Sequence, residues 1–267
     1  MIVLAQLRIP EIHRPLKLHI HGEQDLHVSR RIREEGIWEP YETSLVLDIL
    51  RPGSVFVDVG ANIGYFSIIA ASVVGSEGQV LAFEPERENC RLLRESAVLN
   101  GFADVIHLEE AGLANTEAQG RLYLNEDNLG DHQIYSDDEE ERGSIPIQLL
   151  NGSEYLSSRL SRLDLLKVDT QGSEFDVMSG LMPFLAELTD PVRIIIELTP
   201  LSLRKAGASG RHLITLLARL GQPMWIIDHI EHRLVTSSAE ELSQWCDDVD
   251  AVPGDAGFIN ILVGPSP

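Results

Sequence analysis

The sequence predicts an α/β protein with a mostly parallel central sheet, and three features carry that expectation. Short β-branched apolar runs alternate with stretches of helical spacing from Pro52 onward. The runs are largely apolar, as expected of strands covered by helices on both faces. The first run turns into a helix through a glycine-containing bend. Apolar residues make up 43% of the 267, enough for a sizeable core, and no repeat or Pro/Ser/Gly-rich linker divides the chain. The expected organisation is a single domain over residues 51–267, with residues 1–50 as an N-terminal extension packed on it.

Taken in order, Ser54–Gly60 (SVFVDVG) reads as the opening strand and Ile63–Val74 as the helix after it. Gln79–Glu84 (QVLAFE) is the second strand. Glu88–Asn100 is the second helix, with Arg91, Arg94 and Glu95 on its polar side. Val105–Glu110 is the third strand, and right-handed crossovers make these neighbours parallel. Arg121–Leu124 and Ser144–Leu149 are short strand candidates. Between them Asn125–Gly143 lacks apolar periodicity and reads as a long loop or functional lid, its acidic run Asp137–Glu141 as solvated surface. The alternation resumes with strand Asp164–Asp169, helix Ser173–Leu181, strand Arg193–Leu198, helix Gly210–Leu220 and strand Met224–Asp228. The segments around Ile230–Val235 and Gly257–Val263 are candidates for a C-terminal antiparallel hairpin.

The charge balance narrows the function. Forty-two acidic residues against 21 Lys and Arg give a formal net charge of −21, which repels nucleic acid and anionic membrane surfaces. A small cationic ligand is compatible with it. No apolar run approaches a membrane span, and the N-terminal stretch lacks the apolar core of a signal peptide. Cys90 and Cys246 form no metal or redox spacing and read as small buried residues, so a reduced, cytoplasmic setting is expected.

The sharpest local signal is Asp58-Val59-Gly60-Ala61-Asn62-Ile63-Gly64, at the strand-to-helix bend. Glycines there allow a tight turn and close approach of a ligand to the backbone. Glu84 ends the next strand, where a carboxylate accepts hydrogen bonds from ribose hydroxyls, and Pro85 stops that strand. The spacing is G-x-x-x-G with an acid before it, not the G-x-G-x-x-G that admits a pyrophosphate. A carboxylate beside the turn suits a ligand with an ammonium and a sulfonium. S-adenosylmethionine fits that description better than NAD.

The motifs DVGANIGYFS, AFEP and KVDTQGSE, in this order and spacing, resemble FkbM-type methyltransferases. The resemblance runs from about Gly36 to Leu262 and implies a Rossmann-like class I methyltransferase sheet with O-methylation of sugar or polyketide hydroxyls, without an obligatory metal. By position it implies that Asp58, Gly60, Ala61, Asn62, Gly64 and Tyr65 surround the methionine portion and that Glu84 and Pro85 hold the ribose. Glu110 and Ala111 fall at the adenine, and Asp169 faces the transferring methyl group. The chain departs from the commoner D-x-E-G-x-E pattern by placing Gln171 at the first Glu.

Methyl transfer to a hydroxyl also needs a base near neutrality. His132 is the expected base, from the stretch Asn128-Leu129-Gly130-Asp131-His132, with Asp131 or Asp169 orienting the site. Trp38, Asn128, Gln171, Glu174 and Glu197 are expected on the acceptor side. Two competing readings stay open: an NAD-linked oxidoreductase, and a non-catalytic S-adenosylmethionine-binding protein of this fold.

Overall fold

A computed structural model describes residues 2–23, 25–125, 128–130, 132–135 and 142–267. The N-terminal part forms β1 (Ile2–Gln6), β2 (Lys17–His21), α1 (Val28–Glu35) and α2 (Pro40–Ile49). The alternating part follows as β3 (Val55–Val59), α3 (Tyr65–Val74), β4 (Gln79–Phe83), α4 (Arg87–Asn100) and β5 (Ile106–Glu109). Then come β6 (Gly112–Ala114), β7 (Ala118–Tyr123), β8 (Ser144–Asn151) and α5 (Gly152–Ser157). The rest comprises β9 (Leu165–Val168), α6 (Glu174–Glu187), β10 (Arg193–Leu198), α7 (Pro200–Lys205), α8 (Gly210–Ala218), β11 (Met224–Asp228), β12 (Arg233–Ser237), α9 (Ala239–Asp250) and β13 (Ile259–Val263).

The central sheet has the order β12-β11-β13-β10-β9-β3-β4-β5. Strands β5, β4, β3, β9 and β10 are parallel neighbours, whereas β13 runs antiparallel between β10 and β11. The chain steps outward from β3 to β5, then returns to place β9 on the other side of β3. That reversal opens a crevice above the carboxyl ends of β3 and β9, where ligands settle in open α/β sheets.

Alternation along each strand divides the core into two layers. Phe56, Val80, Ala82 and Ile195 face the layer that holds α2 and α3, while Val57, Leu81, Phe83, Ile194 and Ile196 face α6 and α8. Burial on both faces explains why these strands read as continuous apolar runs.

The C-terminal pairing differs from the expectation. β12 folds back on one edge of β11, and β13 pairs with the other edge of β11 rather than with β12. Helix α9 stands between β12 and β13, capped by Ser238 and Glu241, and it separates them too far for a hairpin. The burial patterns agree with this outcome. β13 is buried along most of its length and needs neighbours on both sides, whereas β12 is largely exposed and suits an edge.

Strand β2 meets helix α4 through side chains of the helix. The amide N–H of His19 donates to Ser96 Oγ at 2.8 Å, and His21 Nε2 lies 2.7 Å from Asn89 Oδ1, so β2 is tied to α4. Among the described residues no helix is long and apolar enough to cross a membrane.

Candidate functional site

The crevice is a cavity of about 590 Å³ whose floor is the row of strand ends. Asp58, Gly60, Ala61, Asn62 and Tyr65 from the first turn line it, with Glu84 and Pro85 after β4. Asp169 and Gln171 after β9, and Glu197 near the end of β10, line its other side. Trp38, Asn128 and His132 cover it from the N-terminal segment and the central loop.

The turn and the acid after β4 are directly joined. The backbone N–H of Asn62 donates to Glu84 Oε2 at 2.8 Å, and that of Glu86 donates to Glu84 Oε1 at 2.8 Å. Burial pushes the Glu84 carboxyl up to about 7, with these two amides working against the shift. Asp58 accepts from Ser67 Oγ at 2.6 Å, and burial raises its carboxyl to about 6. Asn62 itself stands at φ +51, a conformation asparagine tolerates.

The glycines of the turn are required chiefly by the protein's own packing. A Cβ on Gly60, at φ +82, would fall 1.9 Å from the Asp169 carbonyl oxygen. One on Gly64, at φ +87, would fall 2.4 Å from Leu93 Cγ. The bend therefore lets β3 sit against the end of β9 and α3 against α4. Gly64 does not line the cavity.

Beyond β9 lies a buried charge network. Lys167 Nζ is 2.9 Å from Asp169 Oδ2, 3.5 Å from Glu42 Oε1 and 4.7 Å from the centre of the Phe66 ring. Burial works to lower this ammonium's pKa, but the carboxylates of Asp169, Glu42, Glu39 and Asp58 outweigh it and hold the group charged. Glu39, at φ +43, has its carboxyl raised well above the usual range by burial and by Glu42. Glu39, Glu42 and His229 bring ligand-type atoms within 4.8 Å of one another. Lys167 already supplies the cation beside that group.

On the acceptor side, the backbone N–H of Asn125 donates to His132 Nδ1 at 3.1 Å. Paired backbone bonds between Tyr123 and Gln133 hold the loop's return. A Cβ on Gly130 would lie 3.2 Å from Asn62 Nδ2, so Gly130 rests over the first turn.

Several expected site residues are placed elsewhere. Glu110 is surface-exposed, pairing with Arg94 at 3.0 Å and Arg87 at 3.4 Å, and Ala111 is buried; neither lines the cavity, which passes through Gly112 and Leu113 instead. Glu174 lies beneath the site, accepting the N–H groups of Thr170 and Gly172 at 2.8 and 2.9 Å. It fixes the turn that carries Gln171. Asp131 lies outside the described residues.

Sequence reasoning missed Lys167 and Glu42. A lysine inside an apolar parallel strand was the available signal, because such a residue is buried and needs a carboxylate partner.

The switch-point crevice, the turn after β3 and the carboxylate after β4 define a Rossmann-like class that takes nucleoside ligands. The profile of the methyltransferase FkbM domain matches residues 58–224, and the chain belongs to this family of S-adenosylmethionine-dependent methyltransferases. It is 27% identical over 258 residues to the AMB antimetabolite synthetase AmbE of Pseudomonas aeruginosa, covering 81% of this chain and 11% of that protein. It is 26% identical over 164 residues to Methyltransferase 1 of Beauveria bassiana, covering 54% of this chain and 64% of that protein. The chain thus spans less than two thirds of either relative. Among solved structures, the methyltransferase FkbM from Methylobacillus flagellatus has a TM-score of 0.47 at 14% identity, covering 84% of this chain and 51% of that one.

Proposed function

We propose that the protein transfers a methyl group from S-adenosylmethionine to a hydroxyl oxygen of a sugar or polyketide-type acceptor in a reduced, cytoplasmic setting. The observation that carries this reading is the hydrogen bond from Asn62 to Glu84, which joins the glycine turn and the ribose acid into one wall of an acid-lined cavity. The donor set fits the group. Glu84 offers acceptors to ribose hydroxyls, and Asp58 and Asp169 offer negative charge to an ammonium and a sulfonium. When bound, S-adenosylmethionine supplies a methyl carbon already activated for displacement.

The chain's own residues then orient and enclose. Asp58 and Glu84 hold the cofactor's polar ends, while Trp38 and the loop bearing Asn128 limit water. In a neutral His132 the proton sits on Nε2, since Nδ1 accepts from Asn125. In this conformation His132 donates to the acceptor oxygen; as a base it would first have to release the Asn125 amide. Lys167 provides the cation among the carboxylates, so the reaction runs without a metal. Nucleic acid is not the acceptor in this reading, given the charge of −21.

Calorimetry with S-adenosylmethionine, S-adenosylhomocysteine and NAD, followed by transfer of labelled methyl to a panel of hydroxyl compounds, tests the proposal. Binding of the first two, a loss of at least tenfold in Glu84→Ala, and transfer unaffected by chelator support it. Binding of NAD alone would favour an oxidoreductase. Tight binding without transfer to any acceptor would favour a non-catalytic role.

A further inference from the structure

Glu197 is a cavity carboxylate whose two oxygens are treated differently. Its Oε1 accepts from Thr199 Oγ1 at 2.9 Å and from Gln171 Nε2 at 3.2 Å. Its Oε2 takes no hydrogen bond from the described residues, and the side chain lines the cavity. The Gln171 amide nitrogen also donates to Asp169 Oδ1 at 2.8 Å, so one NH₂ group spans two carboxylates. Gln171 holds this position from a left-handed backbone, at φ +54.

The surrounding charges are mostly negative. Asp169 follows β9, Glu174 opens α6, and Glu39 comes from the N-terminal segment. Lys167 is bonded to Asp169 Oδ2 and lies beside Glu42, so its charge is directed to the other side of Asp169. His132 and Arg142 from the loop and Lys205 of α7 also line the cavity. Burial first, then Asp169 and Glu174, raise the Glu197 carboxyl well above the usual range.

We propose that Glu197 is the general base for the acceptor hydroxyl, taking its proton on the unbonded Oε2, and that entry of the positively charged methyl donor shifts Glu197 from acid toward carboxylate. The inference rests on the reading of the cavity as a methyl-transfer site. A cation placed among these carboxylates favours the charged form of any that still carries a proton, and Glu197 is the one that also has an oxygen free of described partners beside Gln171 and Thr199. Glu197 is thereby prepared only when the donor, and not the neutral product, is present.

In the transfer step an acceptor oxygen–carbon bond forms as the carbon–sulfur bond breaks, and that bond's electron pair stays on sulfur. Glu197 Oε2 takes the hydroxyl proton, leaving that O–H bond's electrons on the acceptor oxygen. One negative and one positive charge before the step become none after it, so Glu197 recovers its proton as the cation that displaced it disappears.

Proton release measured by calorimetry in phosphate and in Tris tests this without an acceptor. Both S-adenosylmethionine and S-adenosylhomocysteine carry the ribose that meets Glu84, so the difference between them isolates the effect of the sulfonium charge. The wild type is expected to release up to about one more proton with S-adenosylmethionine, fading at high pH once Glu197 is ionised without the donor. Glu197→Gln should bind both compounds with that difference abolished, while Glu39→Gln retains it. If Glu197→Gln fails to fold, Gln171→Ala serves: losing an amide that stabilises the carboxylate should move the release to higher pH.

Equal release with both ligands in the wild type would overturn the proposal. So would an undiminished difference in Glu197→Gln, or its loss in Glu39→Gln alone. Failure of both compounds to bind the wild type would overturn the reading of the cavity, and the base assignment with it.

Discussion

Glu84 is held by two backbone amides yet buried, with only 5% of its surface exposed, and these two conditions oppose each other. The amides favour the carboxylate, burial favours the acid, and burial prevails, raising the group from 4.5 to about 7. A raised acid binds its proton more tightly in the folded chain than in the unfolded one. Its contribution to stability is therefore full below about pH 4.5 and is lost as pH rises through about 7. Asp58, raised to about 6, acts in the same direction over a narrower range. The urea midpoint of the unliganded protein should fall between about pH 5 and pH 8, and Glu84→Gln should remove on the order of 3 kcal/mol of that decline at most. A variant as pH-sensitive as the wild type would show that Glu84 does not set the slope. The acids at strand ends were legible because the edge of a parallel sheet is where ligands gather. The same rule misplaced Glu110, since β5 is an edge strand and the arginines of α4 reach its end.

At the scale of elements, β9 carries the least readable feature of the site. Its neighbours β3 and β10 flank it in the sheet, and Lys167, at 4% exposure, is packed against Glu42 of α2 and Phe66 of α3. One partner, Asp169, lies just past the strand, but the other, Glu42 on α2, comes from a distant part of the chain. The strand pattern could be read from apolar runs, but the pairing of a lysine with α2 depends on tertiary packing that no local spacing encodes. Glu42 is further bound by Asn260 of β13, whose Nδ2 donates at 2.7 Å, so the network ties the N-terminal segment to the centre and C-terminal end of the sheet. Removing one partner of a buried ion pair strands the other charge, at a cost of about 3–5 kcal/mol. Lys167→Met should destabilise by about that much near pH 8 and by less near pH 5, where protons neutralise the orphaned carboxylates. Urea unfolding at both pH values reads the difference, and a pH-independent loss would mean that packing, not charge, is what Lys167 contributes.

For the whole molecule, the question is whether residues 51–267 fold as an independent unit or need the first 50. We propose that the N-terminal segment is a structural part of the fold. It places Leu7, Ile9, Leu16, Leu18, Ile20, Ile32, Leu45, Val46, Ile49 and Leu50 in the same core layer as Phe56, Ile68 and Ile69 of the sheet and α3. At about 2 kcal/mol for each such buried side chain, their gross contribution is on the order of 20 kcal/mol. Removing them would also uncover the matching face of the sheet and α3, in a fold whose net stability is typically only about 5–15 kcal/mol. The segment also supplies Trp38 and Glu39 to the cavity and Glu42 to Lys167, so the loss extends to the site. A chain beginning at residue 51 is expected to be insoluble or to lack a cooperative thermal transition, with no S-adenosylhomocysteine binding. The segment supplied in trans, as a separate peptide of residues 1–50, should restore part of the transition if its role is packing. A truncated chain that melts cooperatively and binds the compound unaided would show instead that the N-terminal segment is an accessory to a self-sufficient domain.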